Sequence, residues 1–183
     1  WSTPAGGGLH LISDFEIDAL GRTTQSLGPT HDVLGQSVRT ANWMVYRDLE
    51  DETYSGQGYA LGIGPEYEYT LVNPISIQRM SHDGRVSQSI TAVRDCAHEA
   101  GCECLVPDAG AVESAGKLTA GDCFPQSSWI RWSVSFTSNQ DQLTSTRTYH
   151  QIPASGAGVL GVNYDETRYG YDLMGRQNRV VSA

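Results

Sequence analysis

Apolar and polar positions in this chain alternate far more often than they recur at helical spacing, which points to strands. Glu66-Tyr67-Glu68-Tyr69-Thr70-Leu71-Val72 alternates strictly at its start, as a half-buried strand does. Pro74 is expected to interrupt it and mark an edge or a new strand. Residues 9–18 alternate more loosely and read as a strand. The stretches 43–46 and 52–55 flank the acidic Asp48-Leu49-Glu50-Asp51, which predicts a hairpin with a charged tip. Residues 75–80 and 86–90 flank Ser81-His82-Asp83-Gly84-Arg85. Residues 129–136 and 142–149 flank Ser138-Asn139-Gln140-Asp141. The expected fold class is all-β. Successive antiparallel hairpins form an extended twisted sheet or a β-sandwich-like repeat stack, in one region spanning 1–183. Residues 1–8 form a glycine-rich extended lead, and Gly28-Pro29 breaks the first return strand. Residues 92–123 form a cysteine-containing insertion with a short helix around 109–115, and residues 153–161 form a small-residue loop.

One turn recurs. At the C-terminal end stands Tyr169-Gly170-Tyr171-Asp172-Leu173-Met174-Gly175-Arg176, followed by a β-prone return strand. Near the N-terminus the same grammar appears as Phe15-Glu16-Ile17-Asp18-Ala19-Leu20-Gly21-Arg22. Asp172 and Asp18 can cap the turn by bonding their own backbone, and Gly175 and Gly21 can take a positive φ. A third, degenerate copy has Ser81 in the aspartate's place and keeps Gly84 and Arg85. Tyr169 and Tyr171 share one face of their strand and are expected to stack on aromatics of the next hairpin. The repeat unit is about thirty residues, within the range of repeat architectures. Every part of the motif has a folding role, and none of it requires catalysis.

This motif resembles the YD repeat of the Rhs family, long secreted bacterial repeat proteins, with best agreement over residues 164–183. The resemblance implies a large continuous β-sheet. Such a sheet belongs to a cell-surface protein or spirals into a shell around a toxin. The chain departs from toxin-carrying members in having few hairpins and no Asp-Pro-x-Gly self-cleavage signature.

Composition narrows the partners. The chain has 183 residues and a net charge of −9, with Lys117 its single lysine. An acidic surface disfavours nucleic acid and anionic membrane as partners. No window approaches eighteen apolar residues, so no membrane-spanning helix is expected. The four cysteines, Cys96, Cys102, Cys104 and Cys123, suggest two disulfides and an oxidising, extracellular or cell-surface setting. Cys96–Cys102 with Cys104–Cys123, and Cys96–Cys104 with Cys102–Cys123, are the pairings that avoid joining Cys102 to Cys104. Their spacing fits no common zinc template.

Other chemistry is weakly signalled. Residues 156–161 match G-x-G-x-x-G, but without the strand-to-helix context a dinucleotide needs, so a loop is expected. The five histidines, His10, His31, His82, His98 and His150, form no ligand or catalytic pattern. Residues 48–52 are rich in carboxylates without a calcium-loop pattern. Trp43, Trp129 and Trp132 are candidates for sugar stacking, though packing is the better expectation. No catalytic residue, metal site or cofactor is assigned. The expected function is a non-enzymatic extracellular structural module, part of a surface protein or a subunit polymerising end to end into a filament by strand addition. Its partners are then other copies of itself or adjacent repeats, since the end strands are expected to find partners elsewhere. A glycan- or cell-contact binding module and a segment of a toxin-enclosing shell are the alternatives.

Overall fold

A computed structural model describes residues 12–63, 66–94 and 113–182. Among these residues there are eleven strands: β1 (Asp14–Ile17), β2 (Thr23–Val33), β3 (Gln36–Arg47), β4 (Glu52–Ile63), β5 (Glu66–Met80), β6 (Val86–Ala92), β7 (Glu113–Ala115), β8 (Trp129–Thr137), β9 (Leu143–Tyr149), β10 (Tyr164–Tyr171) and β11 (Gln177–Ser182). Ten of them follow each other across one antiparallel sheet in chain order; β7 stands off that path and pairs with β5. The fold is therefore all-β, and its hairpins lie side by side in a single open sheet and not in a sandwich. The one helical element among the described residues is a 3-10 turn at Gln126–Ser128. No helix among the described residues is long and apolar enough to cross a membrane.

Alternation gives the sheet one buried face. Tyr54 on β4 pairs with Ile77 on β5, Ile77 with Ile90 on β6, and Ile90 with Trp132 on β8. These four side chains therefore form one row across the sheet, and all are buried. Fully burying an aliphatic side chain of this kind contributes about 1.5–3 kcal/mol.

A second layer is supplied by the chain itself. The strap at 113–128 lies over this face and adds Leu118 and Phe124 to the core, with the Phe124 ring edge-on to Tyr54 at 5.3 Å. Buried Arg94 fastens the strap. Its guanidinium donates to the carbonyls of Lys117 (2.7 Å), Ala115 (2.8 Å) and Gly116 (2.9 Å), to Ser114 Oγ (2.9 Å), and to the buried Asp122 carboxylate (3.3 Å). The loop at 150–163 covers the other side of the core. Tyr149 stacks on Trp132 at 3.8 Å and donates its hydroxyl to Ala157 O (2.8 Å).

Several local expectations change. Pro74 does not end its strand: β5 runs through it. Ser55 pairs with Ser76 and Gln57 with Val72, so residues 73–75 face Gly56 alone in a bulge, where a missing N–H breaks no ladder bond. Gly28-Pro29 likewise lies in a bulge inside β2, between the pairs Leu27–Ala41 and Thr30–Arg39. A Cβ on Gly28 would stand 2.3 Å from Thr40 Oγ1, so a larger residue there would first have to turn that hydroxyl aside. No helix forms over 113–115, which are β7; residues 109–112 lie outside the described residues. The hairpin joining β2 to β3 has no counterpart among the expected ones. Its turn residues, Leu34 and Gly35, both take positive φ (53° and 80°), the geometry of a two-residue type I′ turn. Cys123 is the one cysteine among the described residues and is not free; Cys96, Cys102 and Cys104 lie outside them.

Candidate functional site: the hairpin rim

Because successive strands reverse direction, the turns after β1, β3, β5, β8 and β10 all lie along one rim of the sheet. The first and last are built alike. Asp18 Oδ1 accepts from the backbone N–H groups of Leu20 and Arg22 (2.9 Å each), and Oδ2 accepts from Arg22 Nε (2.7 Å). Asp172 Oδ1 accepts from Met174 and Arg176 N–H (2.9 Å each), and Oδ2 from Arg176 Nε (2.8 Å). Gly21 and Gly175 sit at φ 80° and 77°. In each copy the return strand is bulged six residues after the aspartate, at Thr24 and at Asn178.

The backbone bonds from Arg22 and Arg176, with the arginine side chains, hold the carboxyls of Asp18 and Asp172 below their ordinary 3.8. Asp48 is also depressed, chiefly by its bond from Arg22. Each of these carboxylates thus serves as a hydrogen-bond acceptor within the turns.

The structure adds a copy and weakens another. Residues 138–142 form the same turn with different letters. Ser138 Oγ accepts from Gln140 and Gln142 N–H (3.2 and 3.3 Å), and Asp141 takes the positive φ (57°) that glycine takes elsewhere. Thr144 is again bulged six residues after the cap. The sequence signal was a capping hydroxyl followed three residues later by an aspartate, a residue that tolerates left-handed backbone. The copy at Ser81–Arg85 keeps Gly84 (φ 71°) and Arg85, yet its closing bond runs from Ser81 N to Val86 O, one residue farther on. Its strands pair without a bulge, and Asp83 takes over the capping of Arg85 N–H. The positive-φ position of the rim recurs at 21, 51, 84, 141 and 175. These steps are roughly thirty residues except the 84–141 step, which contains the strap.

Neighbouring turns are linked. Arg22 extends its fork to the next turn, Nη1 to Asp48 Oδ1 (2.7 Å) and Nη2 to Asp48 Oδ2 (2.9 Å), with its guanidinium 4.0 Å from the centre of the Tyr46 ring. Met80 N donates to Asp51 O (3.0 Å), and Thr137 N to Arg85 O (2.8 Å). Bidentate arginine–carboxylate pairs add geometric selection to attraction.

Tyr169 and Tyr171 do share a face, the one opposite the core. Among the described residues they stack on no other ring. The Tyr169 hydroxyl lies 3.4 Å from Thr146 Oγ1 and the Tyr171 hydroxyl donates to Leu143 O (2.9 Å), so both reach back to the preceding strand β9. Their counterparts Phe15 and Ile17 lie on the outermost described strand and are 65% and 66% exposed.

The other candidates are scattered. Residues 156–161 form a loop, with Val159 N bonded to Asn163 Oδ1 (2.9 Å). Trp43 and Trp132 are buried, donating to Gln25 Oε1 (3.0 Å) and Gln88 Oε1 (3.1 Å), and Trp129 packs edge-on to Trp132 at 5.0 Å. Three of the four carboxylates of 48–52 are engaged by arginines, Asp48 by Arg22, Glu50 by Arg47, and Glu52 by Arg47 and Arg79, while Asp51 lies 3.5 Å from His82 Nδ1. Among the described residues no group of three or more His, Cys, Asp or Glu is placed to hold a metal ion. His10 and His98 lie outside the described residues.

No family model, curated protein or solved structure matches the chain.

Proposed function

We propose that this chain is a non-enzymatic structural β-repeat module of an extracellular or cell-surface protein. It forms a stretch of hairpin wall that either continues into adjacent repeats or grows end to end from copies of the chain. The observation that carries this reading is the same capped turn built at 18–22, 138–142 and 172–176 along one rim. Each copy uses its charged or polar groups to fix a hairpin, and Arg22 uses its fork to join two. The resemblance to YD repeats adds to it. The cysteines fit the same setting: two disulfides, in either of the pairings given above, would pin the segment leading into the strap.

A glycan-binding surface is less well supported, because it needs an exposed aromatic patch and Trp43 and Trp132 are buried. A toxin-enclosing shell is also less well supported. Such a shell keeps one face of its sheet for cargo, and here Leu118 and Phe124 of the strap cover the core face.

The test is immunogold labelling of intact, unpermeabilised source cells, with negative-stain imaging of the released native protein. Surface label and an elongated β-rich particle are expected. Label confined to the cell interior would sink the reading.

A further inference from the structure

We infer that the open edge of β11 receives β1 of a second copy of this chain, in one defined register. The inference rests on the repeat-wall reading above and specifies how that wall extends. Four observations converge on it.

The direction fits. Ten strands lie on the path of the sheet, an even number, so a β1 added beside β11 runs antiparallel to it, as every existing neighbour does. Its turn then falls on the same rim.

The outer-face contacts fit. Inside the chain, Tyr169, three residues before its capping Asp172, reaches Thr146, eight residues after the capping Ser138 of the preceding turn. Eight residues after Asp172 stands Val180, on the same face and 55% exposed. Three residues before Asp18 stands Phe15. The internal joint therefore matches a hydroxyl to a hydroxyl, and the joint between copies matches an exposed phenyl ring to an exposed valine. Both members change character together. Burying the two against each other removes apolar surface that each edge leaves in water.

The rim fits. Arg22 spends Nε on its own aspartate and its fork on Asp48, the first residue of the next turn. Arg176 likewise spends Nε on Asp172. Among the described residues its fork meets no carboxylate, and its side chain is 74% exposed against 31% for Arg22. With β1 of a second copy in place, the next turn begins with that copy's Asp18. Its carboxylate accepts three bonds in its own turn, leaving room for one more of about four.

Unpaired backbone fits. Among the described residues β1 and β11 each pair on one side only, and exposed edges of this kind template strand addition. A joint made from two different surfaces is head-to-tail and leaves a free edge at each end for further copies.

The experiment is sedimentation velocity of the 183-residue chain over a wide concentration range, with Phe15→Glu and Val180→Glu variants. Both positions are exposed, so the variants should fold; far-UV circular dichroism and thermal melting check this. The wild-type chain is expected to form a concentration-dependent series of oligomers. Each variant alone should associate at least about tenfold more weakly, as expected for loss of a central apolar anchor. An equimolar mixture of the two should restore association, but only to dimers, because β11 of the Phe15→Glu chain and β1 of the Val180→Glu chain rebuild one wild-type joint, while the other joint sets glutamate against glutamate. Arg176→Gln should weaken association and flatten its salt dependence. A wild-type chain that stays monomeric, or a mixture that stays as weak as its components, overturns the joint. Either result leaves the repeat-wall reading standing if surface labelling succeeds, so the two failures can be told apart.

Discussion

Replacing Arg94 with methionine tests whether the strap is held by a forked cation or merely rests on an apolar face. The guanidinium donates to three successive backbone carbonyls at 115–117 and to Ser114, and it faces the buried Asp122. Methionine fills much of the same space and donates nothing. Three part-buried carbonyls then lose a charged donor, which water can replace at the exposed Ala115 and Gly116, so most of the cost falls on the buried Asp122. Breaking a buried pair from one side costs about 3–5 kcal/mol, and we expect a loss in that range. Against a typical stability of about 5–15 kcal/mol that is a large fraction. In a domain of this size it corresponds to a fall in Tm of roughly 6–20 °C. The assay is urea unfolding followed by tryptophan fluorescence and circular dichroism, with Arg94→Lys alongside. Lysine keeps the charge but cannot reach all the carbonyls at once, so it should recover only part of the loss. A methionine variant within about 1 kcal/mol of wild type, or a lysine variant equal to it, would refute the reasoning.

Ile77 is fully buried in the central row of the core, so Ile77→Ala should cost about 2–5 kcal/mol by the same urea assay. Leu34 is wholly exposed at φ 53° in the two-residue turn, so Leu34→Asn should raise stability by about 1 kcal/mol; an unchanged melting point would count against strain there. The carboxyls of Asp18, Asp48, Asp83, Glu166 and Asp172 are all held below their ordinary values, 3.8 for the aspartates and 4.5 for the glutamate. The unfolded chain therefore binds more protons in acid. Stability should be level above about pH 5 and fall as pH drops below about 4.5, and Asp172→Asn should make the urea midpoint less sensitive to that drop.

Much of this architecture was written in local pattern. Alternation placed the first half of β5, the stretches flanking residues 138–141 placed β8 and β9, and the Asp-x-x-Gly-Arg turns placed both terminal hairpins, because cap, positive φ and return strand are all set within a few residues. What stayed hidden depends on contacts distant in the chain. Pro74 and Gly28-Pro29 read as breaks because proline lacks an N–H. Whether that matters is decided by the neighbouring strand, which at both places skips a residue. The β2–β3 turn escaped notice because leucine is a poor marker of positive φ. The turn at 138–142 was found as a hairpin tip but not as a repeat, since serine, aspartate and glutamine replace aspartate, glycine and arginine while keeping the acceptor, the left-handed residue and the donor. The tyrosines of the last repeat were expected to look forward to the next hairpin. They look back, and only strand order reveals that.

The two ends of the strands carry different demands. On the capped rim, turns are short and joined to one another through Arg22, Asp51 and Arg85, so a longer turn there would break links on both sides. The bulge six residues after the cap in three of these turns fixes strand register. A slip of one residue would carry the buried set, Tyr54, Ile77, Ile90 and Trp132, to the outer face. At the opposite ends, the connection from β6 to β8 includes the strap at 113–128, and β9 to β10 is joined by the 150–163 loop. Both fold back over the core face and supply the second layer that a single sheet lacks. Insertions are thus placed where they cover apolar surface, and the recurring capped turn is placed where it sets register. That division suits a wall extended by adding hairpins along the sheet. In the proposed joint a new hairpin meets the rim and the outer face of its neighbour through Arg176 and Val180 at one edge of the sheet and Phe15 and Asp18 at the other.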